Sequence, residues 1–218
     1  ILGPIGHREY PRNDPTWVNA HPVFRLHFGF YANYKPFKSY PNLPSIHKDI
    51  DMLFLRETTE GFKVDGNLFK GYGEFMPTEE LAVGVCITTR TKSRLIAEAA
   101  FESARRRKRR KVSAVHKSTV YRMGDGLFAE ECRKVAARYP DVEFEEVIVD
   151  TCALRLVMKP QQYDVIVTTN LYGDILTDEA AGLVGGLGLA PGLNASGTHA
   201  MAQATHGSAP DIAGRNIA

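Results

Sequence analysis

Apolar and polar positions follow two periods along this chain, and the clearest alternation begins near residue 92. Residues 92–104 carry Leu95, Ile96, Ala99 and Ala100 at helical spacing. Residues 111–116 read as a strand. Residues 125–138 read as a helix with Leu127, Phe128 and Val135 on its apolar side. Residues 142–149 form the next strand and 152–158 a short helix. Residues 163–168, with the run Val-Ile-Val, suit a strand buried on both faces. Residues 171–183 return to helical spacing. Strands alternating with helices predict an α/β domain.

The first half is less regular. Asn13-Asp14-Pro15 reads as a helix start, with the helix running to about residue 27 and Pro22 arguing for a kink or a late start. Residues 28–34 are aromatic and strand-like. Residues 35–44, with Pro36, Pro41 and Pro44, read as a loop, and 50–55 as a short buried strand. In 59–80, Gly61, Gly66, Gly71 and Gly73 are interspersed with Phe and Tyr, which predicts a hairpin arm, followed by a strand over 81–88.

The 218 residues suit one domain, or a large domain carrying a smaller one. With 44 % apolar and 24 % charged residues, the composition excludes a disordered chain, a collagen-like chain and a disulfide scaffold. No apolar run approaches ~18 residues, so no membrane span is expected, and no secretory leader is visible. Cys86, Cys132 and Cys152 are odd in number and far apart, which predicts neither a disulfide framework nor a zinc site and fits a reducing, intracellular compartment.

Charge is nearly balanced, but seven of the 27 basic residues stand together at 105–111. Such a run can mark nucleic-acid binding. It directly follows a predicted helix, where cations favour the macrodipole, and no nucleic-acid partner is expected.

Asp174 and Asp178 stand four apart in Asn-Leu-Tyr-Gly-Asp-Ile-Leu-Thr-Asp. Helical spacing puts both carboxylates on one face, where they repel unless a cation such as Mg²⁺ or Mn²⁺ lies between them. The alternative is acidic residues gathered at a helix N-terminus. Asp150 ends a predicted strand before a helix and reads as a third ligand or as an N-cap. Lys117 ends the 111–116 strand, and reads as an acid–base group or as solvated surface. His206-Gly207-Ser208-Ala209-Pro210-Asp211 offers small residues for close backbone approach to a ligand, with Asp211 placed to accept from ribose hydroxyls, or else a plain turn before a terminal helix.

Together these segments, with Leu55-Arg-Glu-Thr-Thr-Glu-Gly61, Phe101-Glu-Ser-Ala104, Val115-His-Lys117 and Asp125-Gly-Leu-Phe128, resemble the β-decarboxylating dehydrogenases: isopropylmalate, isocitrate, homoisocitrate and tartrate/D-malate dehydrogenases. Met201-Ala-Gln-Ala204 looks closer to the tartrate/D-malate branch. The resemblance implies a metal held by Asp174 and Asp178 of one subunit and Asp150 of its homodimer partner. It implies Lys117, also from the partner, as the group that takes the hydroxyl proton. Arg25, Lys35 and Arg56 would grip the substrate carboxylates. His206, Gly207, Ser208, Ala209, Asp211 and Thr119 would bind NAD, with Asp211 disfavouring NADP. The implied substrate is a small 2-hydroxy di- or tricarboxylic acid bearing a 3-carboxylate, oxidised and decarboxylated in a shared active site.

Three positions depart from the family pattern. Lys35 stands where the family carries Arg, Lys63 where it carries the Tyr that protonates the enol, and Thr119 where it carries Asn near the nicotinamide. These changes point to slowed or abolished turnover, and to an alternative reading as a non-catalytic regulatory or pairing subunit. The implied fold is the two-domain α/β fold of isocitrate and isopropylmalate dehydrogenases with an incomplete nucleotide-binding domain. Residues 1–30 and 185–218 would belong to that domain. Residues 31–184 would form the substrate and dimer domain, with an arm at about 61–85. Substrate selectivity would lie near Trp17 to Val23. By the same resemblance the chain is expected to be truncated at both ends, and to be cytoplasmic, or mitochondrial where a transit peptide precedes it.

Overall fold

The computed structural model describes residues 20–62, 73–207 and 209–216. Among these, a seven-stranded sheet is covered by helices on both faces. The strands are β1 (Ala32–Lys38), β2 (Asp51–Glu57), β5 (Lys111–His116), β6 (Glu143–Ile148), β7 (Val165–Thr168), β8 (Pro191–Ala195) and β9 (Ala200–Ala204), in the spatial order β6-β5-β7-β2-β1-β8-β9. β3 (Glu74–Thr78) and β4 (Leu81–Gly84) form a separate hairpin. The helices are α1 (Ala20–His27), α2 (Arg90–Arg105), α3 (Gly124–Ala136), α4 (Val149–Met158) and α5 (Asn170–Val184).

β6, β5, β7 and β2 run parallel, and their side chains feed two cores. Phe54 and Ile166 pack with Cys152, Leu156, Leu176 and Ala180 under α4 and α5. On the other face Leu55, Val165 and Val167 pack with Ile96, Phe101, Phe128 and Val135 under α2 and α3. This two-sided burial is why these strands read as near-continuous apolar runs. β1, β8 and β9 continue the sheet with antiparallel pairings.

Three expectations shift. The strand expected at 28–34 begins at Ala32 and continues through Lys38, taking Lys35 and Pro36 out of the expected loop. Pro36 pairs with Leu53 of β2 but lies beyond Tyr34, the last β1 residue paired with β8, so its missing N–H leaves no gap in that ladder. Asp150 does not end a strand. It is the second residue of α4, whose N-cap position is Ile148, and from there its carboxylate still accepts from backbone N–H groups of the first turn. Pro22 lies within α1, and the residues before Ala20 lie outside those described. The strand expected at 81–88 stops at Gly84, where it completes the hairpin. The helix start at Asn13–Pro15, Trp17, Lys63 and Ser208 lie outside the described residues. No helix among the described residues is long and apolar enough to cross a membrane.

Candidate active site

The four parallel strands deliver their C-terminal ends to one edge of the sheet, the edge where α/β folds bind ligands. Arg56 is the next-to-last residue of β2, Asn170 opens α5 after β7, Lys117 follows β5, and Asp150 lies in the first turn of α4 after β6.

Arg56 is the hub. It is 9 % exposed, and its guanidinium donates to the Asp174 carboxylate and, at 2.6 Å, to Asn170 Oδ1. Burial opposes its charge, and Asp174, Asp178 and Glu57 favour it. Its stem runs against α5 at Gly173, where an added Cβ would meet Arg56 Cγ at 2.6 Å. Asn170 also donates through Nδ2 to the Glu60 carbonyl at 2.8 Å. Gly61, at φ +91°, allows that approach, since a Cβ there would stand 2.9 Å from Asn170 Cβ.

Lys35 projects from β1 to the same helix and donates to Thr177 Oγ1 at 3.0 Å. It is 6 % exposed. Burial and then Arg56 hold its pKa below the ordinary lysine value, against the opposing pull of Asp178 and Asp174, with Arg25 adding a smaller repulsion. Arg25, Lys35, Arg56, Asp174 and Asp178 thus form one electrostatic cluster. Asp174 and Asp178 are exposed and lie in the second and third turns of α5, which has no acid in its first turn. Attraction to the helix N-terminus therefore does not account for them. They present two hard oxygen donors beside buried cations, a chemistry that fits part of a Mg²⁺ or Mn²⁺ shell.

Lys117 and Asp150 form a second group. Lys117 Nζ donates to Asp150 Oδ1 at 2.6 Å, and this bond holds the Asp150 carboxyl below its usual range. The Lys117 backbone N–H donates to the buried Asp125 carboxylate at 2.6 Å, which fixes the turn that carries it. Among the described residues no three His, Cys, Asp or Glu converge as a metal-binding group, so a single chain does not bring Asp150 to Asp174 and Asp178.

Thr119 is exposed on the turn after Lys117. His206, Gly207, Ala209 and Asp211 are exposed on the segment after β9, where Ala209 adopts φ +47° and residues 210–214 form a turn rather than the start of a helix. The basic run has acidic partners: Arg105 and Arg110 pair with Asp141, Arg107 and Arg109 with the buried Asp164, and Lys111 with Glu143 and Glu145. Cys132 and Cys152 are buried, and burial pushes the Cys152 thiol up to about 12, which leaves it unreactive.

Asn170, Gly173 and Thr177 were not singled out by spacing, although all lie in the segment containing the two aspartates. A glycine inside a helical pattern is the signal that flags a close approach. Asp125 and Glu57 lie in segments that carry the resemblance, but neither received a role there. Glu57, 3 % exposed, accepts from the Thr59 and Glu60 N–H groups at 2.8 Å each and shapes the turn that meets Asn170.

Comparison with known proteins identifies relatives of the whole chain. The family model described as isocitrate/isopropylmalate dehydrogenase matches residues 1–218. A 3-isopropylmalate dehydrogenase of Methanothermobacter thermautotrophicus is 47 % identical over 194 residues, covering 89 % of this chain and 56 % of that protein. The human mitochondrial isocitrate dehydrogenase [NAD] subunit gamma is 43 % identical over 210 residues, covering 94 % and 50 %. A crystal structure of isocitrate dehydrogenase from Methylococcus capsulatus superposes with a TM-score of 0.86 at 39 % identity, covering 99 % of this chain and 62 % of that one. The chain spans about half the length of the curated relatives it matches.

Proposed function

This chain belongs to the isocitrate/isopropylmalate dehydrogenase family, and from that premise we propose that it carries the substrate half of an NAD- and divalent-metal-dependent oxidative decarboxylase. The substrate is a 2-hydroxy acid with a carboxylate at C3, of the isopropylmalate, isocitrate, tartrate or malate type. The observation that carries the reading is the cluster on α5: Asp174 and Asp178 exposed beside Arg56 and Lys35, two buried cations. Buried cations next to a pair of open carboxylates suit an anionic substrate and a cation together.

The residues divide the work. Arg56, Lys35 and Arg25 hold the substrate carboxylates, with Arg56 aimed by Asn170. Asp174 and Asp178 hold the ion. When bound, that ion supplies Lewis-acid polarisation at C2, and NAD supplies the hydride acceptor. Lys117 Nζ, on a turn fixed by Asp125, would pass a proton out through its bond to Asp150 and receive the hydroxyl proton in its place as C2 becomes a ketone. The 3-carboxylate then leaves as CO₂, its bonding electrons passing toward the C2 carbonyl. The proton for the resulting enol is assigned to Lys63 by its sequence position alone, the position at which the family pattern carries Tyr. His206, Gly207, Ser208, Ala209, Asp211 and Thr119 contact the nucleotide.

Asp150 and Lys117 serve a second copy of the chain in this reading, which therefore requires a homodimer. Exposed apolar residues on α4 and α5, Leu154, Val157, Met158, Leu171 and Ile175, support such a partner. Residues 1–30 and 185–218 belong to the nucleotide part and 31–184 to the substrate part, with the boundary crossing a continuous sheet at the β1–β8 pairing. Relatives named as mitochondrial and chloroplastic enzymes put an organelle beside the cytoplasm as a location. A second reading, a pairing subunit with weak or no turnover, is favoured by Lys35, whose ammonium is a point charge rather than a guanidinium fork. NADH formation by the intact protein with Mn²⁺, over a panel of D-malate, tartrate, isopropylmalate and isocitrate, tests the first reading. Turnover on one of them supports it, and silence on all of them favours the second.

A further inference from the structure

A row of buried amides crosses the sheet beside the carboxylate–cation cluster. Asn33 on β1 is paired in register with Arg56 on β2 and with Asn194 on β8. Residues paired in this way project on one face of a sheet. That face is the one α5 covers, since Lys35, two residues along β1, reaches Thr177. Asn33 is 1 % exposed and Asn194 0 %.

The row is polarised. Asn33 Nδ2 donates to Asn194 Oδ1 at 3.1 Å, and Asn194 Nδ2 donates to Gln203 Oε1 on β9 at 2.9 Å. At its head, Asn33 Oδ1 is buried without a partner among the described residues, and so is Arg56 Nε. One is an acceptor and the other a donor, on residues directly opposite each other. Cβ atoms of such a pair are about 5 Å apart, so rotation of the side chains is enough to join them.

We propose that Asn33, Asn194 and Gln203 are positioning residues for Arg56, with Asn33 Oδ1 accepting from Arg56 Nε–H and so fixing the guanidinium plane toward a substrate carboxylate. The inference rests on the reading of Arg56 as a carboxylate grip. The terminal nitrogens of Arg56 are held by Asp174 and Asn170, and a third bond at Nε would fix the guanidinium plane when substrate or metal draws on either of them. Each amide bond polarises the next, so a break at β9 weakens the bond at β2.

The test is steady-state kinetics of the intact protein. Asn33→Leu is expected to raise the KM for the hydroxy acid about tenfold, the equivalent of one such bond, with kcat and the KM for NAD nearly unchanged. Asn33→Asp keeps the acceptor and is expected to restore the KM. Gln203→Met, at the half-buried far end, is expected to raise the same KM about twofold, and it decides the matter where Asn33→Leu does not fold. An unchanged hydroxy-acid KM, or an equal loss in kcat and both KM values, overturns the proposal. Where the intact protein turns over no hydroxy acid at all, the reading of function fails separately. The row is then judged by thermal unfolding of Asn33→Leu, Arg56→Met and the double variant: non-additive shifts support it and additive shifts overturn it.

Discussion

Gly173→Ala isolates the contact on which the site's geometry turns. The added Cβ would lie 2.6 Å from Arg56 Cγ, 2.8 Å from its Cβ and 3.1 Å from its Cδ. Arg56 cannot simply swing away, because it is 9 % exposed and held at its far end by Asp174 and Asn170. In an unobstructed helix interior, Gly→Ala stabilises by up to ~1 kcal/mol. Overpacking a tight site costs about 1–3 kcal/mol. The balance is a net loss of about 1–2 kcal/mol, or a fall in Tm of about 2–8 °C for a domain of this size. Because the relief is displacement of Arg56, the affinity for a dicarboxylate should fall with it, by about tenfold. Gly182 lies on the same helix with nothing within 4 Å of its ideal Cβ. Gly182→Ala is therefore the control and should raise Tm slightly. The assay is thermal unfolding followed by circular dichroism, with ligand affinity read by calorimetry. If Gly173→Ala raises Tm as Gly182→Ala does, the close packing of Arg56 on α5 is refuted.

Lys35→Met should stabilise the ligand-free protein by about 1 kcal/mol, since a buried cation whose one hydrogen-bond partner among the described residues is the Thr177 hydroxyl is replaced by an apolar chain, while binding of the hydroxy acid is lost. The pH dependence has a defined sign. The folded pKa of Lys35 is depressed, so the unfolded state binds more protons between that value and about 10.4. Stability should rise as pH climbs through that window and fall as pH drops through the folded pKa. Urea unfolding of Lys35→Met from pH 7 to 10 should show a flatter slope than the parent, and an identical slope would refute it. Asn170→Ala removes the bonds to Arg56 and to the Glu60 carbonyl and should lower stability by roughly 2–4 kcal/mol, measured by urea unfolding. Asp150→Asn breaks an exposed ion pair and should leave Tm nearly unchanged, yet remove metal-dependent turnover in the intact protein. A large fall in Tm would show instead that Asp150 is structural.

What could be read in advance follows from where the determinants lie. β5 and β7 were legible because both faces are buried, which makes Val165–Val167 apolar throughout and leaves Ser113 as the one polar residue within Val112–Val115. α2 and α3 were legible from helical spacing. β8 and β9 were not, because Pro191-Gly-Leu-Asn-Ala and Ala200-Met-Ala-Gln-Ala have little β-propensity and are strands only through their pairing with β1 and each other. Pro36 misdirected the reading of β1, since a proline argues against a strand unless the ladder on that side has already ended. At the site, the four-residue spacing of Asp174 and Asp178 is local and showed itself. The bonds from Arg56 to Asn170 and Asp174 join residues more than a hundred positions apart, and no periodicity encodes them. The resemblance reached Arg56 and Lys35 but carried no reason for their burial, which the sheet and α5 supply.

The central claim is that Asp174 and Asp178, beside Arg56 and Lys35, serve a metal-dependent oxidative decarboxylation. The direct measurement is the simultaneous yield of NADH and CO₂ from the intact protein with Mn²⁺ and each 2-hydroxy acid of the panel, repeated with chelator and with Asp174→Asn. The account predicts equal yields of the two products on at least one substrate, abolished by the chelator and by the substitution. NADH without CO₂, or turnover indifferent to both chelator and Asp174→Asn, would contradict it.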